Sequence, residues 1–187
     1  MIGVEQLRKG TIFKLGDELY RVLEYEHRKM GRGQATIRVK ARNLRSGATI
    51  EKTFPSGNKV QDVRLDHANV QYLYNDGHFY YFMDTETYEQ VMLTDEQLGE
   101  MTQFLTDGLE LKLETYEGEP ISIELPKTVD LKVVEAEPGF AGDTANAPTK
   151  SCTTETGLKV QVPLFIQVGD VIRVNTDTGE YITRVTS

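Results

Sequence analysis

Residues 21–42 read RVLEYEHRKMGRGQATIRVKAR, and their alternation decides the fold. From Ala35 onward the pattern is strict: Ala35, Ile37, Val39 and Ala41 on one face, Thr36, Arg38, Lys40 and Arg42 on the other. Upstream, Leu23, Tyr25 and His27 fall on one side and Glu24, Glu26 and Arg28 on the other. Residues 30–34 join the two runs, and Gly31 and Gly33 can supply positive φ there, so the stretch predicts a β-hairpin. Flanking strands of eight or nine residues, at ~3.3 Å each, carry the tip roughly 25–30 Å from the hairpin's base. That length makes the tip a protrusion. Arg32 stands between the two glycines, and a basic glycine loop is a phosphate cradle, an ordinary surface turn or a probe directed at a partner.

Working outward, nearly all of the chain predicts strand. Residues 70–84 pair an aromatic-rich run with a second strand through Asn75, Asp76 and Gly77. Residues 111–125 repeat that scheme around Glu117, Gly118, Glu119 and Pro120, and 128–139, 158–174 and 179–185 supply a third set. Only 94–108 favours helix, with Thr94 as N-cap, Gln97 closing a capping box, Leu98, Met101 and Leu105 on one face, and Gly108 as the stop. Residues 139–157 form a long stretch, polar and rich in small side chains, and long loops on compact barrels are functional or disordered. Short strands with regular turn signals mean small β-barrels, and three all-β units follow: 1–64, 65–127 and 128–187.

Charge separates these units. The whole chain of 187 residues carries −8, yet residues 1–64 hold 14 Lys/Arg against 7 Asp/Glu, while 65–127 hold 2 against 14 and 128–187 hold 5 against 8. A basic first third on an acidic chain argues for a nucleic-acid partner at that end, although a solvated basic face is the plainer alternative. With 39% hydrophobic and 27% charged residues the composition is that of a soluble globular protein. The first twenty residues lack a signal-peptide layout, no apolar run approaches membrane-spanning length, and Cys152 is the single cysteine, so a cytoplasmic protein without membrane contact is expected.

Enzymatic signatures do not emerge. The Gly-Arg-Gly tip lacks the spacing and following helix of a P-loop. His27, His67 and His78 share no metal-ligand spacing, and no nucleophile elbow appears, so no metal, cofactor or catalytic residue is expected. The carboxylates of 84–124 read as a solvated acidic surface rather than an acid/base pair.

The hairpin KMGRGQATIRVK with TIEKTF after it, the block YLYNDGHFYYFMDTETYEQ, the tetrapeptide GDTA at 142–145 and the stretch GLKVQVPLFIQVGDVIRVNTDTGEYITRV resemble bacterial elongation factor P across the whole length. Lys150, Gly157, Val160, Val162, Pro163, Ile166 and Gly169 satisfy that family's C-terminal signature, with Cys152 where alanine is usual. The resemblance implies an N-terminal SH3-like (KOW-type) barrel and two OB-folds in a tRNA-like L shape. It implies a monomeric, non-enzymatic factor that binds both ribosomal subunits between the P and E sites. There it positions the P-site peptidyl-tRNA and relieves stalling at consecutive prolines.

Carried over by residue, the resemblance puts Arg32 at the CCA end of that tRNA, with Gly31, Gly33 and Gln34 forming the tip loop. Arg32 occupies the family's modification position, so it acts as encoded or after a modifying enzyme has extended it. Met30 replaces a common proline there. Gly142, Asp143, Thr144 and Ala145 match the loop near the E-site codon, and Tyr181 and Arg184 match a ribosome-contacting pair, with barrel core as the plain alternative for Tyr181. Arg28, Lys29, Arg38, Lys40 and Arg42, on the outward strand face, are placed to track a tRNA backbone. The rival reading is a stand-alone binder of single-stranded nucleic acid that stacks bases on Tyr72, Tyr74, Phe79, Tyr80 and Tyr81, opposed by the acidity of their domain.

Overall fold

In a computed structural model of the chain, the structure describes residues 1–29, 31, 33, 35–138 and 148–186. Three antiparallel sheets account for most of them. The first contains β1 (Ile2–Gly3), β2 (Ile12–Leu15), β3 (Glu18–Arg28), β4 (Thr36–Asn43), β5 (Thr49–Pro55) and β6 (Lys59–Asp62), in the spatial order β1-β6-β2-β3-β4-β5. The second is built from β7 (Asp66–Asn75), β8 (Phe79–Asp84), β9 (Gln90–Thr94), β10 (Glu110–Tyr116) and β11 (Glu119–Glu124), ordered β11-β10-β7-β8-β9. The third holds β12 (Thr128–Ala136), β13 (Thr149–Thr154), β14 (Lys159–Pro163), β15 (Val171–Asn175) and β16 (Tyr181–Val185), ordered β14-β13-β12-β15-β16.

The alternation of 35–42 survives intact in β4, where Ile37, Val39 and Ala41 are buried with Val4, Leu7, Phe13, Val22, Phe54 and Val60. Its partner strand departs from the expected alternation. Val22 pairs with Ala41 but Glu24 pairs with Lys40, so Leu23 is an extra residue in a bulge. Val22 therefore takes the core position expected of Leu23, Tyr25 packs at the rim of the same core, and His27 is exposed. A period of two cannot be counted across a bulge.

Both turns read from sequence form. Gly77 has φ 97° between β7 and β8, and Glu117 (φ 50°) and Gly118 (φ 83°) make a two-residue connection from β10 to β11. The expected helix over 94–108 is shorter. Thr94 and Gln97 make their capping box, but α1 (Asp95–Leu98) stops after one turn because Gly99 takes φ 59°, ψ −133°. A 3-10 turn, Gly99–Phe104, follows. The loop reading of 139–157 also needs correction: β13 lies within it, its β-branched threonines and buried Cys152 paired between β12 and β14.

The chain divides into two compact units, one of residues 1–68, 93–99 and 113–122, the other of 69–92, 100–112 and 123–187. In the first unit a cluster of Leu19, Leu44 and Ile121, with Ile12, Val63, Leu65 and Tyr116 packed on it, complements the barrel core. In the second, Phe104 inserts among Val129, Leu131, Val133, Cys152, Leu158, Val160, Val162, Ile166, Ile172 and Val174.

The insertion of Phe104 has a measurable consequence. Phe104→Ala empties a site lined by these branched side chains, and urea unfolding is expected to show the second unit destabilised by about 3 kcal/mol.

Candidate nucleic-acid interface

The outward face of the hairpin is a quilt of both charges. Across the ladders, Arg38 lies opposite Glu26 on β3, and Lys40 lies between Glu24 on β3 and Glu51 on β5. The Arg38 Nη2 donates to Glu51 Oε2 at 2.6 Å, and the Arg28 Nε donates to Glu26 Oε1 at 3.1 Å. The hydrogen bond from Arg38 holds the Glu51 carboxyl below the usual carboxylate range, and the same bond raises the arginine. These pairs are solvent-exposed and therefore weak, so a competing phosphate can displace them. The absence of acid between His27 and Arg45 in the sequence thus does not describe the surface. The neighbouring strands supply it.

Arg42 is committed elsewhere. Its Nη2 donates to the backbone carbonyl of Glu96 at 2.8 Å, in a slot walled by two glycines. A β-carbon at Gly99 would press on the guanidinium, and one at Gly47 would overlap the Glu96 carbonyl oxygen. Arg45 and Arg21 are engaged as well. Arg45 grips Glu119 through Nε and Nη2, both at 3.1 Å, and donates from Nη1 to the Asp17 carbonyl at 2.7 Å. Arg21 Nη2 meets the nearly buried Glu114 at 2.7 Å, with His67 Nε2 at 3.5 Å from the other carboxylate oxygen. Partners 74 and 93 residues apart leave no signal in the sequence. Lys40, flanked by Glu24 and Glu51, also helps to hold the Glu51 carboxyl down, whereas Lys29, just past the end of β3, is exposed and has no ion-pair partner among the described residues.

The ladder of β3 and β4 runs out to His27 opposite Ile37 and Arg28 opposite Thr36. Gly31 beyond it has φ 22°. Arg32, Gln34, Gly142, Asp143, Thr144 and Ala145 lie outside the described residues. In the third sheet Tyr181 faces Val174 and packs half-buried against the core, whereas Arg184 faces Ile172 and projects over the Phe165 ring, 5.3 Å from its centroid. No sequence pattern singled out Phe165.

Of the aromatic residues considered for base stacking, Tyr72 is buried at 2% exposure and accepts a 2.8 Å hydrogen bond from Asn75 on its hydroxyl. Phe79, Tyr80 and Tyr81 are half-buried. Tyr74 alone is exposed, and one ring face already stacks on Tyr81 at 4.6 Å. This is a poor platform for a run of bases. Burial pushes the Cys152 thiol up, which keeps it protonated and unreactive. No group of histidine, cysteine and carboxylate side chains suited to a metal occurs among the described residues, and no helix there is long and apolar enough to cross a membrane.

Comparison with known proteins places these features in context. Residues 4–60 match the family model "Elongation factor P (EF-P) KOW-like domain", 65–123 match "Elongation factor P (EF-P) OB domain", and 129–184 match "Elongation factor P, C-terminal". The chain is 50% identical over 184 residues to the elongation factor P of Moorella thermoacetica, covering 98% of this chain and 100% of that one. Among solved structures it is similar to eukaryotic translation initiation factor 5A from Methanococcus jannaschii, at 24% identity and a TM-score of 0.46, over 60% of this chain and 82% of that one. A translation initiation factor of the same family from Naegleria fowleri matches at 14% identity and a TM-score of 0.41, over 66% of this chain and 94% of that one.

Two outcomes follow from the site's electrostatics. Glu51→Gln releases Arg38, so the variant is expected to elute from a polyanion column at higher salt than the parent, with an unchanged unfolding midpoint. Asp76 and Asp84 accept turn N–H groups, from Phe79 and His78 and from Thr87 and Glu86, and both carboxyls sit below their usual range, as Glu51 does. Carboxyls lowered by folding contribute stability above their unfolded pKa, about 4, and lose it as pH falls through the folded values. The urea midpoint is therefore expected to be flat near neutrality and to drop below about pH 4, less steeply in Asp76→Asn.

Proposed function

The chain belongs to the elongation factor P family and is a translation elongation factor, and from that premise we propose that it binds the ribosome between the P and E sites and positions P-site peptidyl-tRNA at consecutive prolines. The observation that carries the reading is the ordered match of three family models across the chain, joined to half identity with an elongation factor over nearly its whole length. The three barrels of this reading are 1–64, 65–127 and 128–187, and the factor works in the cytoplasm.

The chemistry asks for positioning. Proline's ring fixes φ and holds its nitrogen in a cyclic amine, which makes a badly placed nucleophile in peptide-bond formation. A factor that holds the P-site tRNA in a reactive arrangement lowers the barrier by orientation, while the ribosome performs the bond chemistry. The hairpin supports this role because β4 is held between β3 and β5 out to Thr36, so the turn beyond starts from a firmly paired sheet. At the hairpin's end Arg32, with Gly31, Gly33 and Gln34, meets the CCA end, as encoded or after modification. Lys29 is ready for tRNA phosphates, and Arg28, Arg38 and Lys40 join it by exchanging their neighbouring carboxylates for phosphate. Arg42 acts from its slot as a brace. Gly142, Asp143, Thr144 and Ala145 approach the E-site codon, and Tyr181 and Arg184 contact the ribosome.

A polyproline reporter in cells lacking the factor tests this. Wild type is expected to restore read-through and Arg32→Ala to lose most of it. No rescue by wild type overturns the functional reading, whereas full rescue by Arg32→Ala removes the tip from it. Mass spectrometry of the tip peptide from native cells shows whether Arg32 is modified.

A further inference from the structure

We propose that Phe165 and Arg184 together form a site for one unpaired RNA nucleotide, the ring holding the guanidinium in place and the pair taking a base and its phosphate. The inference rests on the ribosome-binding reading above and names a contact within it. Phe165 is 56% exposed, with Val168 at 61% and Ile182 at 47%. A large ring is left outside although Ile166, its neighbour, is fully buried.

The loop that carries Phe165 is pinned. Ile166 N–H donates to the Pro163 carbonyl at 3.2 Å, Gly169 N–H to Val133 at 2.9 Å, and Gln167 N–H to the Asp170 side chain at 2.9 Å. With Ile166 anchored in the core, the backbone presents Phe165 outward as a rigid feature.

Arg184 supplies the charge. It sits on β16, an edge strand, beyond a bulge at Ile182 that shifts the register between Arg173 and Val174. Its guanidinium lies 5.3 Å from the Phe165 centroid, within cation–π range. Arg173 on the adjacent strand is held by Asp130 through two hydrogen bonds, 2.9 and 3.3 Å, but among the described residues Arg184 has no ion-pair partner. A guanidinium oriented over an exposed ring, with no ion-pair partner among the described residues, matches a nucleotide. The phosphate takes the fork of N–H donors, and the base lies against the remaining π and apolar surface.

Purified ribosomes and the full-length chain provide the test. Phe165→Leu is expected to weaken ribosome binding about fivefold or more, the low end for loss of a stacked base, without moving the urea midpoint. Phe165→Tyr, which keeps the ring, is expected to bind like wild type. In an Arg184→Ala background Phe165→Leu is expected to add little, since the two act as one site. A photoreactive phenylalanine at 165 is expected to cross-link to ribosomal RNA. Undiminished binding by Phe165→Leu, additive effects of the two substitutions, or a cross-link to ribosomal protein alone each overturns the nucleotide site while leaving ribosome binding intact. Failure of wild type to bind ribosomes overturns the function and this site together.

Discussion

The antiparallel ladder between β3 and β4 is the constraint on which the N-terminal architecture depends. It runs from Tyr20 opposite Asn43 to Arg28 opposite Thr36, and its register decides which side chains enter the core. A slip of one residue would move Ile37, Val39 and Ala41 to solvent and Arg38 and Lys40 inward. The bulge at Leu23 accommodates Val22 and Tyr25 on the same side and increases the local twist of the strand. Through Thr36 the hairpin is held within the sheet, β4 pairing with β3 on one side and β5 on the other. The turn at its end therefore starts from strands that the core itself holds in place.

Counting charge along the sequence overstated what this hairpin offers to nucleic acid. Arginine's planar fork suits it to intramolecular carboxylates and carbonyls as much as to phosphates, and the chain uses Arg21, Arg42 and Arg45 in the first way. Those three fix geometry. Lys29 on the hairpin, and Arg184 far along the sequence, have no ion-pair partner among the described residues. Under the proposed reading, in which the factor orients a tRNA, this division is sensible, since phosphate contacts on a loose scaffold would bind without positioning.

Much of the fold was legible because period-two alternation, turn residues and capping residues act locally. β4, the Asn75-Asp76-Gly77 turn, the Glu117-Gly118 turn and the Thr94/Gln97 box all appear as read. The failures were also physical. The bulge at Leu23 leaves no compositional mark. Gly99 ended a helix whose apolar spacing continued, and Phe104 then served a different core. β13 hid among threonines and a cysteine that looked like loop until strands on both sides paired with them. For the site, the tip glycines and the C-terminal pair were visible as motifs, and the partners of Arg21, Arg42 and Arg45 were not, because those contacts join distant segments. Phe165 was written plainly in the sequence, but only its exposure and the guanidinium above it distinguish it from a core phenylalanine.

The slot around Arg42 has an evolutionary corollary. Gly47 is barred from gaining a side chain by a backbone carbonyl, which cannot yield, whereas Gly99 is barred chiefly by the guanidinium and by its own φ and ψ. Position 42 can therefore change among descendants of this chain without releasing position 99. Where a short side chain replaces the arginine the space over Gly99 opens, yet its φ of 59° with ψ of −133° still demands glycine. Position 47 should stay fixed through such exchanges, a silent witness that the neighbouring carbonyl has kept its place.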